Sequence, residues 1–181
     1  QNDHPVRVAI GRAGNVIGGG DWAKDRIVAD CMRSWSEGRQ VEIRSPQATR
    51  PWQHVLEPLR AYLMLAQCLY EQGPTFAQAW NFGPDEKDTA SVLWIVRRMA
   101  ELWGETAQWE IDDGEHPHEA TYLKLDISKA RSRLNWQPVL SLGEALKSIV
   151  EWSQQRRAGV DVRRLTLQQI YDYQILIEDR A

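Results

Sequence analysis

Apolar positions along the chain recur in two periods, and the switches between them predict an alternation of strands and helices. Val6-Arg7-Val8-Ala9-Ile10-Gly11 is a β-branched apolar run closed by glycine, the pattern of a buried strand. Gly14, Asn15, Gly18-Gly19-Gly20, Asp21 and Trp22 predict a loop. Helical spacing then runs from Asp25 to Glu37 through Ile27, Cys31, Met32 and Trp35, and stops near Gly38. Val41-Glu42-Ile43 alternates like a short edge strand, and Ser45-Pro46 with Arg50-Pro51 predicts a loop on its far side. Leu59, Tyr62, Leu63, Leu65, Ala66 and Leu69 trace a helix over Val55 to Tyr70 that ends at Gly73-Pro74. Ala79 to Pro84 reads as a second buried strand with a turn, and Ser91 as the cap of a helix reaching Gly104. Beyond these come an edge strand at Trp109-Glu110-Ile111, a polar loop from Asp112 to Ala120, and an alternating segment Tyr122 to Asp126. Ser128 to Asn135 makes a short helix, Ser141 to Arg157 a longer amphipathic one, and 165–177 a last one.

Strands alternating with helices place the chain in the α/β or α+β class, and 181 residues suffice for one compact domain. A composition of 43% hydrophobic and 26% charged residues is that of a folded globular chain rather than a disordered one. No apolar run approaches the roughly 20 residues of a membrane span, and Gln1 to Pro5 lacks the pattern of a signal peptide, so no membrane association and a cytoplasmic location are expected. The strand at Val6 opens with almost no lead-in, as a cut inside a larger protein would. Cys31 and Cys68 lie apart in helix-patterned sequence, which predicts two small buried thiols. A net charge of −3 weighs against general nucleic-acid binding. Residues 1–60 nevertheless hold nine Lys/Arg against seven Asp/Glu, and the remainder thirteen against eighteen, so an anion site is expected early in the chain.

Three consecutive glycines at 18–20 invite a phosphate-loop reading, but the lysine of a Walker loop and the Gly-x-Gly-x-x-Gly spacing are both absent. Two readings stand: a backbone that approaches a ligand at a helix amino terminus, or a tight strand-to-helix connection. Arg44, Arg50 and His54 lie near Pro46, Pro51 and Trp52, either as a phosphate grip on a stiffened loop or as a solvated face. His116-Pro117-His118-Glu119 lacks the companion ligands of a zinc centre, so no metal is expected. No serine stands in Gly-x-Ser-x-Gly, and none of the five tyrosines has a lysine four positions on. The nine tryptophans predict core for the most part, with Trp22 and Trp52 set apart in the candidate ligand loops.

Taken in order, Arg12-Ala13-Gly14-Asn15-Val16-Ile17-Gly18-Gly19-Gly20-Asp21-Trp22, Arg50-Pro51-Trp52-Gln53-His54-Val55, Trp80-Asn81-Phe82-Gly83-Pro84, His116-Pro117-His118-Glu119 and Leu123-Lys124-Leu125-Asp126 resemble the CDP-glucose 4,6-dehydratase branch of the extended short-chain dehydrogenase/reductase family. The resemblance runs from Val6 to about Tyr173. It implies the late strands of a Rossmann-type sheet plus the smaller α+β substrate-binding domain, over residues 1–181, with the amino-terminal NAD-binding half and its Tyr-x-x-x-Lys pair absent. Substrate-binding roles carry over to Asn15, Arg26, Arg44, Arg50, His54 and His116, with no catalytic residue in this stretch. Related enzymes carry Arg-Pro-Gly where this chain has His116-Pro117-His118, which weakens a phosphate role for that loop. The implied reaction is an NAD-dependent lyase step from CDP-glucose to CDP-4-keto-6-deoxyglucose, in deoxysugar biosynthesis for lipopolysaccharide O-antigen, in an enzyme expected to be a homo-oligomer. Another nucleotide-sugar epimerase or reductase, or a noncatalytic binding or assembly domain, remains open as an alternative.

Overall fold

The computed structural model describes residues 6–112, 114 and 123–180. Within them strands pair two by two. β1 (Ile10–Ala13) runs parallel to β6 (Ala79–Phe82), β2 (Asn15–Ile17) to β5 (Trp52–His54), and β3 (Val41–Ile43) to β8 (Trp109–Ile111). β4 (Thr49–Arg50) pairs antiparallel with β7 (Ala90–Ser91). The helices are α1 (Ile27–Ser36), α2 (Leu56–Gln72), α3 (Val92–Trp103), α4 (Ser128–Leu134), α5 (Leu142–Arg157) and α6 (Val162–Asp179). Parallel pairs joined through helices give the mixed α/β, Rossmann-like class expected from the sequence.

Each expected helix forms, and local chemistry sets the ends. Ser91 accepts from the Trp94 N–H at the start of α3, and Ser141 with Glu144 closes a reciprocal capping box at α5. Asn135 ends α4 in the left-handed conformation at φ 50°. The last helix begins at Val162, three residues earlier than the apolar spacing predicts, because Asp161 caps it by accepting from Arg164 N–H at 2.9 Å.

Two apolar cores result. One joins α1, α3, α5 and β3 around Trp35, Ile43, Ile95, Met99 and Leu146; the other joins α2, α4 and β6 around Trp80, Phe82 and Trp136. Between them stands Glu57 of α2, whose carboxylate accepts from Val139 N–H at 2.9 Å, Leu140 N–H at 2.7 Å and the Tyr173 hydroxyl of α6 at 2.8 Å. Burial pushes the Glu57 carboxyl up, against these three hydrogen bonds that favour its ionised form.

The structure departs from expectation in three places. The first strand pairs only from Ile10, and Val8 and Ile10 are 67% and 60% exposed, because β1 has β6 as its single hydrogen-bonded neighbour among the described residues. Two stretches that read as loops hold the short strands β2, β4 and β5, whose two or three residues are too few to set up an alternation. Residues 123–126 form no strand; Leu123 N–H donates to the Thr49 carbonyl at 3.3 Å, Asn81 Nδ2 donates to the Asp126 carbonyl and Lys124 pairs with Glu86. Cys31 is buried, and burial pushes its thiol pKa up, whereas Cys68 is only half-buried.

Candidate functional site

The β2–β5 pairing brings two loops together that lie far apart in sequence. Asn15 stands in register with Trp52, and its N–H donates to the Pro51 carbonyl at 2.8 Å. This approach depends on Gly14, where a Cβ would sit 2.3 Å from that same backbone oxygen. Arg50, one residue before Pro51, is fixed by β4: its Nη1 donates to the Thr49 carbonyl at 3.0 Å, and its backbone pairs with Ala90.

An open cleft of about 520 Å³ lies beside this junction, and Asn15, Arg26, Arg44 and Arg50 all line it. Four of the six residues singled out from the sequence therefore share one cavity. Its walls come from β2, the amino-terminal turn of α1, β3 and β4, and Trp52 forms part of the lining while its Nε1 donates to the Ala90 carbonyl at 3.0 Å. Trp22, the other tryptophan of the loops, does not line this cleft; it packs on Trp152 of α5 with ring centroids 6.4 Å apart, beneath the Arg156 guanidinium.

The cleft is not uniformly basic. Asp21, Asp25, Asp30 and Glu42 line it beside the three arginines. Arg26 pairs with Asp21 at 3.1 Å and Arg44 with Asp25 at 2.6 Å, in ion pairs whose arginine side chains are 63% and 52% exposed. Asp25 reaches Arg44 from a left-handed backbone, φ 62°, which aspartate tolerates better than most residues. Exposed pairs of this kind hold weakly, and a guanidinium carries five N–H donors, so each arginine can donate to a phosphate oxygen in addition to or in place of its carboxylate. These acidic partners were not singled out in the sequence, where only the mixed charges Asp21, Lys24, Asp25 and Arg26 hint at them.

The glycine run resolves into a packing role. A Cβ at Gly19 would lie 2.5 Å from the Trp152 ring, and one at Gly18 2.9 Å from Val55, so this backbone is pressed against side chains of α5 and the α2 entrance. Only Gly18 of the three lines the cleft.

His54 is not brought to the cleft. It is 2% exposed, accepts from Leu56 N–H at Nδ1 over 3.4 Å, and among the described residues its Nε2 has no partner; burial holds it neutral, with a pKa pushed down to about 4. β5 is buried on both faces, so all three of its side chains lie in the interior, where Gln53 donates to the Phe82 carbonyl at 2.8 Å. His116 lies outside the described residues.

No protein-family model matches the chain. Its sequence is 51% identical over 170 residues, 94% of its length, to CDP-glucose 4,6-dehydratase of Salmonella typhimurium, of which the match spans 47%. Among solved structures it is similar to UDP-glucuronic acid 4-epimerase of Bacillus cereus in complex with UDP-glucuronic acid and NAD, at TM-score 0.70 and 22% identity, covering 83% of this chain and 46% of that one. It is similar also to dTDP-glucose 4,6-dehydratase of Bacillus anthracis in complex with NAD, at TM-score 0.65 and 16% identity, covering 82% and 44%. The chain spans about half the length of each of these relatives. The sequence similarity to the dehydratase runs over nearly the whole chain, and the fold is that of the matching portions of the epimerase and dehydratase structures.

Proposed function

We propose that this chain, similar through almost all of its length to a CDP-glucose 4,6-dehydratase, is the nucleotide-sugar-binding portion of such a lyase. The observation that carries the reading is the convergence of the Asn15 and Arg50 loops on one cleft that also holds Arg26 and Arg44. Three guanidiniums suit a diphosphate, whose oxygens accept bidentate pairs, and Asn15 offers an amide that can both donate to and accept from a sugar hydroxyl. His116, in the family position of a substrate loop, belongs to the same proposal.

The chemical part of the reading assigns these residues a grip. Oxidation at C4 of the glucose acidifies the C5 proton, elimination of water across C5 and C6 follows, and hydride returns to C6. NAD, when bound, would supply the hydride acceptor for this oxidation. The chain's own residues anchor the diphosphate, which fixes the sugar at one distance from the reacting groups. The enzyme works in the cytoplasm as a homo-oligomer on a small-molecule substrate rather than on nucleic acid, in deoxysugar biosynthesis for lipopolysaccharide O-antigen.

Titration calorimetry with CDP-glucose and with glucose 1-phosphate tests the assignment. Binding of the first, far weaker binding of the second, and no 4-keto sugar from the 181-residue chain mixed with CDP-glucose and NAD is the expected set of results. Equal affinity for both ligands would remove the diphosphate grip from the proposal.

A further inference from the structure

The outer face of α6 carries a pattern that reads the same from either end. Arg164, Leu167, Tyr171, Ile175 and Glu178 follow one another at intervals of three, four, four and three residues, which sets them on one stripe of the helix. The stripe is symmetric about Tyr171 in position, and opposite in charge at its two ends. Leu167, Tyr171 and Ile175 are 54%, 58% and 40% exposed, an apolar band in open solvent. The opposite face anchors the helix: Leu165 and Tyr173 are buried, Tyr173 donates to Glu57, and Gln169 donates to the Ser148 carbonyl of α5 at 2.8 Å. A fixed helix thus presents its band outward.

The charges on α6 are placed against its own dipole. Arg163 and Arg164 stand in the first turn, where a helix favours anions, and Glu178 and Asp179 in the last, where it favours cations. Asp161 at the N-cap and Arg180 at the C-cap offset this only in part, and among the described residues neither Arg164 nor Glu178 has an ion-pair partner that would complete it. A second α6 laid antiparallel completes it. It brings the Arg164 end of each copy to the Glu178 end of the other, sets Leu167 against Ile175, and places the two Tyr171 rings together on the axis, over about 21 Å of helix. It also opposes the two helix dipoles.

We propose that the outer face of α6 is a two-fold, isologous contact with a second copy of this chain, centred on Tyr171. Both requirements of such a contact are met by one surface: the patch is self-complementary, and each residue finds its partner twice. The contact gives the self-association proposed above a specific surface, and it stands or falls without regard to what the cleft binds. A single helix pair buries less than a permanent interface, so a dissociation constant on the order of 10 µM is expected.

Sedimentation analysis of the chain over a concentration series tests the proposal. The expected result is a reversible monomer–dimer equilibrium that Tyr171→Glu abolishes by placing two carboxylates on the axis. Arg164→Glu alone and Glu178→Arg alone each weaken association by about tenfold or more, because each sets like charges opposite one another at both ends. The two single variants mixed in equal amounts regain association, since in the mixed pair every charge again faces its opposite. All three positions are exposed, and circular dichroism of each variant checks that the fold is retained. A chain that stays monomeric up to about 1 mM, a dimer indifferent to both swaps, or a mixture that associates no better than its components would overturn the proposal. Because CDP-glucose binding is read separately, failure here leaves the reading of the cleft intact, and failure there leaves this one.

Discussion

The cleft and the seam between the two cores use charge in opposite ways. In the cleft, Arg26 and Arg44 meet Asp21 and Asp25 at the surface, in pairs that a ligand can rearrange at little cost. In the seam, Glu57 is 1% exposed and, among the described residues, is the acceptor for two backbone N–H groups and a phenol, so losing it strands all three donors. Groups whose proton affinity burial shifts, Cys31, His54, Glu57 and Tyr173, all lie outside the cleft. Perturbed titration, often a sign of a functional site, here reports where the fold is clamped.

Substitutions can sharpen this contrast, beginning with the largest effect. Glu57→Ala strands three donors in the interior and is expected to lower stability by about 3–5 kcal/mol, measured by denaturant unfolding. Glu57→Gln should cost less and shift the pH dependence. The raised carboxyl of Glu57 contributes stability fully below its ordinary value of 4.5, and that contribution fades as pH rises through its folded value, so the wild-type advantage over Glu57→Gln should shrink toward high pH. His54 behaves in the reverse sense. Its folded pKa, near 4, lies below the ordinary 6.5, so the stability tied to the neutral ring is present above 6.5 and lost as pH falls toward 4, by up to about 3 kcal/mol. His54→Gln should flatten that acid limb in thermal melts recorded across the range.

Smaller effects separate the cleft from the clamp. Gly14→Ala forces a methyl group against the Pro51 carbonyl and should cost about 1–3 kcal/mol of stability, while weakening nucleotide-sugar binding because it pushes the Asn15 and Arg50 loops apart. Ser141→Ala removes the cap of α5 and should cost about 1 kcal/mol with ligand affinity unchanged, as calorimetry of both would show.

Much of this was legible in the sequence, for reasons specific to each element. The helices were readable because apolar spacing and caps such as Ser91 and Ser141 act within one turn. The short strands β2, β4 and β5 were not, since their pairing is set by partners 37 to 42 residues away and their length offers no alternation to read. Asn15, Arg26, Arg44 and Arg50 could be named from motif resemblance, yet the carboxylates facing them could not, because Asp25 reaches Arg44 only through a left-handed turn. His54 looked like its neighbours in the loop, and the burial of β5 alone sets it apart. Glu57 passed for an ordinary acidic residue at a helix start; its role depends on Val139, Leu140 and Tyr173, more than 80 residues away.

The central claim is that Arg50 holds the diphosphate of a nucleotide sugar in a cleft shared with Asn15. Calorimetric titration of CDP into the wild-type chain and into Arg50→Ala tests it most directly. Loss of a charge-assisted contact is expected to raise the dissociation constant by about tenfold or more, with the melting curve little changed. Identical affinities in the two proteins would contradict it.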